Sequence, residues 1–198
     1  MKLYGAYTTF ENAAYLLRPV EEGDAADLLE VYGDKNALPF FNSDNCDGDN
    51  FYYPTLERVA EAIRFWQWSY ANRWFARWTI VDKAAGRAIG TVELCLRASE
   101  DAFDGAGILR LDVGSAWERS DILEALGALI VPAAFDLLEC GTIITKAPLY
   151  AVERIQALTA LGFVRSDAPL IGKDGYAYNG YWTTRTIRKE GTHYGNTA

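Results

Sequence analysis

Four charged side chains interrupt the apolar runs that read as strands in the middle of the chain. Arg77 lies in one such run, Glu93 in the next, and Arg110 and Asp112 share the third. On neighbouring strands these groups would be buried together, where desolvation raises the pKa of a carboxyl group and a nearby guanidinium lowers it. A general base is useful only if its pKa stays near the working pH, so we predict Glu93 and Asp112 as candidate catalytic carboxylates.

Glu93 also has a structural interpretation, which we favour over the catalytic one. If the register of the first two strands pairs Arg77 with Glu93, the two charges neutralise each other and Glu93 holds the sheet together. The test of this interpretation is the strand register itself.

Histidine, cysteine and metal chemistry have little support in the sequence. The one histidine, His193, lies in a polar tail, so a histidine base or ligand is not expected. Cys46, Cys95 and Cys140 are widely spaced, with no Cys-x-x-Cys pair, and read as reduced thiols. We predict no metal site.

Composition and charge limit the class of protein. Half of the 198 residues are hydrophobic and 23% are charged, which is typical of one globular domain, predicted over residues 1–188 with a flexible tail at 189–198. The 27 acidic residues exceed the 19 basic ones and give a net charge of −8, so we expect no nucleic-acid partner. No apolar run is long enough for a signal peptide or a membrane span, and we predict a cytoplasmic protein that does not bind a membrane.

The order of apolar patterns predicts an α+β fold around a mixed sheet. Strands are predicted at 16–20, 73–82, 87–97, 108–113, 142–147, from 163 and at 176–187, and helices at 24–31, 55–70, 122–138 and 151–161. Thr55 is the expected N-cap of the second helix, and the turn at 83–86 predicts an antiparallel hairpin. Pro132 is expected to bend or split the third helix near Ala128.

This order of elements resembles the GNAT acyltransferase superfamily, and in particular its branch of ribosomal-protein N-terminal acetyltransferases. Three segments carry the resemblance within that order, which spans about Leu16 to Ile187: Leu17-Arg18-Pro19 with Glu22-Gly23-Asp24, Ile89-Gly90-Thr91-Val92-Glu93-Leu94, and Leu161-Gly162-Phe163. The resemblance implies a central, mostly antiparallel mixed sheet with helices on both faces. It also implies that the fourth and fifth strands, here 108–113 and 142–147, diverge into a wedge that receives the arm of acetyl-CoA.

The resemblance assigns the co-substrate site to both sides of that wedge. The backbone of Leu111 and Val113 would bind the pantetheine arm, and the N-terminus of the third helix would receive the pyrophosphate. The predicted contacts on and near that helix are Arg119, Ser120, Asp121, Ile122 and Arg154.

The sequence departs from the superfamily at these positions. The superfamily's pyrophosphate loop has Arg or Gln, then two residues, Gly, one residue, and Gly or Ala. In this chain the matching segment is Glu118 to Leu123, or Trp117 to Ile122 if the register is shifted by one residue. Neither register contains either glycine. Its last helix often begins with Asn, followed by Ser and then Tyr, where this chain has Ala151, Arg154 and Leu158. Proton donation would then need Tyr150, another tyrosine or bulk water, and Tyr150 is the candidate proton donor.

The resemblance implies an enzyme that moves an acetyl group from CoA to a primary amine of a small molecule or a protein N-terminus. Asp112 is the preferred base, because it lies on the strand beside the wedge, where several members carry theirs. The alternative is a catalytically degenerate GNAT-fold module that binds a ligand or a protein, which the missing glycines, Asn and Tyr favour. A homodimer that pairs through the aromatic segment Tyr176 to Trp182 is compatible with either. A side chain that fills the wedge would argue against transfer from CoA.

Overall fold

The computed structural model describes residues 1–185 and contains ten strands and four α-helices in that range. The strands are β1 (Phe10–Glu11), β2 (Tyr15–Pro19), β3 (Ala76–Asp82), β4 (Arg87–Leu96), β5 (Gly107–Val113), β6 (Thr142–Lys146), β7 (Val164–Arg165), β8 (Leu170–Ile171), β9 (Ala177–Tyr178) and β10 (Tyr181–Arg185). The helices are α1 (Ala25–Tyr32), α2 (Leu56–Ala71), α3 (Ser120–Leu138) and α4 (Val152–Ala160). The predicted tail at 189–198 lies outside the described residues, as does His193.

Eight strands form one sheet in the order β1-β2-β3-β4-β5-β6-β10-β7, and β8 pairs with β9 separately. All pairs are antiparallel in the described part of the chain except β5 with β6. The predicted α+β class with a mostly antiparallel mixed sheet is therefore confirmed.

The two faces of the sheet carry different cores. On one face, apolar side chains of β3, β4 and β5 such as Trp78, Val92 and Leu109 pack with α3 and α4. On the other face, α1, α2 and the segment around Phe41 to Tyr53 form a second apolar cluster. Strand residues alternate between the faces, so each strand of the centre contributes to both sides.

The wedge predicted between the strands at 108–113 and 142–147, which are β5 and β6 in the structure, is present. β5 and β6 are hydrogen-bonded neighbours at Gly107 with Ile143 and at Ile108 with Ile144, and no further pairs follow along β5. The rest of β5, from Leu109 to Val113, is free of strand pairing on the side of β6.

Two local expectations meet different outcomes. Thr55 caps α2 by accepting a hydrogen bond from the Arg58 amide at 3.3 Å, as predicted. Of the two outcomes expected at Pro132, the split does not occur, because α3 is one α-helix from Ser120 to Leu138. The missing N–H of a helical proline costs about 3 kcal/mol, which is offset by the buried side chains on both sides of it.

The last predicted strand, 176–187, is two strands in the structure. β9 ends at Tyr178 and β10 starts at Tyr181, with Gly180 between them at a φ of 87°. β10 lies between β6 and β7, and Trp182 is 9% exposed. Of the segment predicted to pair two copies, Tyr181 and Trp182 pair with β6 inside the main sheet, whereas Ala177 and Tyr178 pair with β8. The homodimer stays a prediction.

Candidate functional site

The charged strand residues meet on the face of the sheet that α1 and α2 cover. The register places Arg77 opposite Glu93 and Glu93 opposite Arg110. Glu93 accepts hydrogen bonds from Arg77 Nε and Nη2, at 3.2 and 2.5 Å, and from Arg110 Nη1. Burial opposes the negative charge of Glu93, but the two guanidiniums outweigh it and hold its pKa below the usual range. The predicted cross-strand ion pair is confirmed, and this pKa does not suit a base near neutral pH.

Asp112 lies on the same face and is 1% exposed. Its Oδ2 accepts from the Tyr32 hydroxyl at 3.3 Å and is 3.6 Å from Arg77 Nη1, while its Oδ1 is buried without a partner within residues 1–185. Burial raises the pKa of Asp112, with Arg77 opposing that shift. Tyr32 and Thr91 complete this network, with their hydroxyl oxygens 2.6 Å apart. Neither residue was predicted from the sequence as part of the site. The one available signal was that Thr91 lies two residues before Glu93, and side chains two positions apart on a strand share a face of the sheet.

The wedge beside β5 is filled by a side chain from α4. Arg154 is 4% exposed and donates from Nη1 to the carbonyl oxygen of Leu111 at 2.8 Å. Its Nε and Nη2 donate to the two carboxylate oxygens of Glu118 at 2.8 and 2.7 Å. The predicted pantetheine contact of Leu111 is therefore occupied by the chain itself, and Arg154 is held as one half of a buried, bidentate ion pair.

The N-terminus of α3 is also occupied. The amide of Ser120 donates to Oε2 of Glu153 at 2.7 Å, which lowers the pKa of that carboxyl group. Arg119 is bound to Asp121, the Nη2 to Oδ2 distance being 2.8 Å, with both side chains exposed. A carboxylate stands at the positive end of the helix dipole, where an anionic ligand would bind.

The space left between β5, α3 and α4 is small. It amounts to a cavity of about 20 Å³ lined by apolar side chains and Arg154. Gly127 of α3 lies so close to Leu161 that a Cβ at this glycine would overlap the leucine's Cδ1. Small-molecule sites enclose ~300–1,000 Å³, so this arrangement has no room for a cofactor arm.

The remaining predicted site residues lie apart from one another. Tyr150 is 61% exposed, and its hydroxyl donates to the Pro39 carbonyl at 2.7 Å. Val113 pairs with Gly90 of β4, and Ile122 is half-buried against the core under α3.

A much larger cavity, of about 1080 Å³, opens on the opposite face of the sheet. Its floor includes Arg77, Glu93 and Arg110, and its aromatic wall includes Phe51 and Trp66. Sequence reasoning identified the floor but missed the cavity, because the walls come from segments near 45–77, 93–110 and 171–173.

One wall of this cavity is a constrained loop. Asn45, Asp47 and Phe51 have positive φ angles of 57°, 53° and 64°. Such a backbone is unfavourable for a bulky side chain like that of Phe51 and persists only where surrounding contacts enforce it. Asp44 supplies such contacts: its carboxylate binds Lys146 Nζ at 2.6 Å and its carbonyl accepts from Arg110 Nη2 at 3.0 Å.

The diverging β5 and β6, with helices on both faces, define the fold of an acyl-CoA-dependent acetyltransferase. A family model described as an acetyltransferase (GNAT) domain matches residues 15–164. The chain belongs to this family, whose acetyltransferases use acetyl-CoA. No curated protein matches the sequence significantly.

Several solved structures share the fold. RimJ of Mycobacterium smegmatis, in complex with CoA-disulfide, has a TM-score of 0.71 and 16% identity, over 94% of this chain and 91% of that one. The ribosomal-protein-S5-alanine acetyltransferase of Vibrio fischeri has a TM-score of 0.66 and 17% identity, over 92% of this chain and 98% of that one. A GNAT-family acetyltransferase from Bacillus anthracis has a TM-score of 0.66 and 9% identity, over 90% and 98%.

Acetyl-CoA does not fit the residues as they stand. In the position that the resemblance implies, its arm would need the Leu111 carbonyl region that Arg154 fills, and its phosphates would meet Glu118 and Glu153. In the described part of the chain, no group of three His, Cys, Asp or Glu side chains is placed to hold a metal ion. No helix of residues 1–185 is long and apolar enough to cross a membrane.

Proposed function

We propose that this GNAT-family protein binds a ligand in the cavity of about 1080 Å³ and does not use acetyl-CoA. The observation that carries the proposal is the buried Glu118–Arg154 pair with its hydrogen bond to the Leu111 carbonyl. The pair stands where the superfamily's motifs would place cofactor contacts. The family's groove is thereby converted into part of the core.

Opening the groove is costly for two physical reasons. Arg154 would have to leave both the Leu111 carbonyl and its carboxylate partner, and an uncompensated buried charge costs several kcal/mol. Carboxylates near a pyrophosphate add repulsion of about 1 kcal/mol for each exposed pair of charges about 4 Å apart. Both effects act against the cofactor and neither acts on the cavity across the sheet.

The test is calorimetric titration of the purified protein with acetyl-CoA at about 1 mM, which detects standard binding free energies near −4 kcal/mol or stronger. We expect no saturable heat. The M. smegmatis RimJ protein, solved with CoA-disulfide, is the positive control under the same buffer. Saturable binding of acetyl-CoA by this chain at lower concentrations would overturn the proposal.

A second candidate is acetyl transfer from acetyl-CoA to a primary amine of a small molecule or a protein N-terminus. Family membership and the divergence of β5 from β6 favour it, and the names of the ribosomal-protein relatives suggest the protein acceptor. It assigns Asp112 as the base, with Glu93 as the less suited carboxylate, and Tyr150 as the acid. Mass spectrometry of amines and peptides incubated with the protein and acetyl-CoA decides it, since an acetylated product formed above the no-enzyme control establishes transfer.

A further inference from the structure

We infer that the large cavity binds an aromatic carboxylate, with the carboxylate at Arg110 and the ring against Phe51, Trp66 and Phe75. This inference rests on the proposed binding role of the cavity and adds the chemical class of its ligand. An unused donor and the aromatic walls support it independently.

The buried charges that line the cavity have an excess of positive charge. They comprise three guanidiniums and two carboxylates: Arg77, Arg97 and Arg110 against Glu93 and Asp101. Asp112 is 3.6 Å from Arg77 but does not line the cavity. Burial raises the pKa of the lining thiols, Cys46 to about 11 and Cys95 to about 12, so they add no negative charge near neutral pH. Counted with the Asp112 carboxylate beside Arg77, the buried charges balance, so the preference for an anion rests on the donor that Arg110 leaves unpaired within the described residues.

Arg110 has a buried donor nitrogen without a partner among residues 1–185. Its Nη1 binds Glu93 and its Nη2 binds the Asp44 carbonyl, but its Nε is buried without a partner in the described part of the chain. All three nitrogens of Arg77, by contrast, have partners. A buried N–H without an acceptor is unfavourable, and a carboxylate is the acceptor that a guanidinium binds most strongly.

The walls around this floor are aromatic. Phe51, Trp66 and Phe75 lie around the Arg77 guanidinium, whose carbon is 4.4 Å from the centre of the Trp66 ring. At the rim, Phe65 and Trp74 line the cavity and are 48% and 58% exposed. A flat apolar ligand would cover these exposed rings and exclude water from the charged floor.

A cationic amine is the opposing ligand class, because acidic groups lie at the rim. Asp47 and Glu100 line the cavity and are exposed, and the whole chain carries a net charge of −8. Exposed charges are screened by water and salt, whereas buried ones are not. We therefore give the buried guanidiniums the greater weight.

The first experiment measures the binding of three probes to the wild-type protein. The probes share a phenyl ring and differ in charge: 3-phenylpropionate is negative, 3-phenylpropanamide is neutral and 3-phenylpropylammonium is positive. Binding is measured by calorimetry and by ligand-observed NMR. We expect the carboxylate to bind at least about tenfold more tightly than the ammonium, a difference of about 1.4 kcal/mol, with the amide between them. Equal binding of all three, preference for the ammonium, or no binding would overturn the inference.

Variants then locate the two ends of the site. Arg110→Met is expected to weaken 3-phenylpropionate about tenfold and to leave the amide nearly unchanged. Trp74→Ala, at an exposed side chain, is expected to weaken all three probes by similar factors without altering their order. The matched control is Arg64→Met, which removes an exposed guanidinium of α2 that does not line the cavity. Its expected effect on carboxylate affinity is below about twofold.

The outcomes separate this inference from the proposed function. Acetyl-CoA binding would overturn the proposed function only. The ligand class would still be decided by the relative affinities of the three probes. Preference for the ammonium probe would overturn the ligand class while keeping a binding role for the cavity. If Arg110→Met does not fold, as judged by circular dichroism, the wild-type probe series and Trp74→Ala still decide the inference.

Discussion

Two neighbouring residues of β5 line two regions on opposite faces of the sheet, a nearly filled groove and an open cavity. Leu111 borders the groove under α3 and α4, where the void is about 20 Å³. Arg110 borders the cavity on the other face, whose volume is about 1080 Å³. The groove is closed by an ion pair between α4 and the segment before α3, and the cavity has one wall formed by a loop with positive φ angles.

The difference shows how one fold can lose one site and keep another. The divergence of β5 and β6 is a property of the sheet, and it persists here although the groove is filled. Filling requires only that Glu118 and Arg154 replace the side chains of the superfamily's motifs. The cavity depends on other segments, so it is unaffected by this exchange.

The largest effect is expected at the cavity floor. Glu93→Gln leaves Arg77 and Arg110 without their shared carboxylate, so the free energy of unfolding at pH 7 should fall by about 5 kcal/mol. The folded pKa of Glu93 lies below its ordinary 4.5, so this stabilisation is present above that pH and is lost as the pH falls through the folded pKa. Urea unfolding of wild type and variant at pH 7 and below pH 4.5 should therefore show a shrinking difference.

Asp112→Asn is the matched control, with the opposite sign. Burial raises the folded pKa of Asp112 above 3.8, so its charged form opposes folding at pH 7. The variant should be at least as stable as wild type at pH 7, and any gain should disappear as the pH falls towards 3.8. A loss as large as that of Glu93→Gln would contradict the assignment of the two carboxylates to different roles.

A smaller loss is expected in the groove. Arg154→Met leaves Glu118 buried without its partner and should lower the free energy of unfolding by about 3 kcal/mol. Arg119→Met removes the other arginine–carboxylate pair at the start of α3, but that pair is exposed and should cost less than about 0.5 kcal/mol. Similar costs for both variants in urea unfolding would mean that the Glu118–Arg154 pair does not close the groove.

The smallest effect is expected at the cavity rim, and it is a gain. Arg73 precedes Trp74 with a φ of 59° and is exposed, so Arg73→Gly should raise the free energy of unfolding by about 1 kcal/mol. Arg64→Gly, at an exposed position inside α2, should instead lower it by about 1 kcal/mol. A shift in the same direction for both, measured by thermal unfolding, would mean that the rim is not held in the left-handed conformation.

Much of the fold could be predicted because local patterns report it directly. The hairpin of β3 and β4, the Thr55 cap and the pairing of Arg77 with Glu93 follow from alternation, turn residues and capping chemistry. The uninterrupted course of α3 through Pro132 could not be predicted, because packing on both sides of the proline outweighs its local penalty.

The candidate site was predicted only in part. Glu118 and Arg154 were recognised as departures from the superfamily's motifs, but their pairing joins positions far apart in the chain. The cavity was missed for the same reason, since its wall residues adjoin only after the loop at 44–53 folds over β4 and β5.

By itself the amino-acid sequence determined the order of the longer strands and the helices, the family, and the absence of the motif glycines, because each depends on residues close together in the chain. Only the tertiary structure decided which site is closed and which is open. Whether a buried charge fills a groove or faces a cavity depends on partners brought from distant segments, and the free energy of burying that charge is set by those partners.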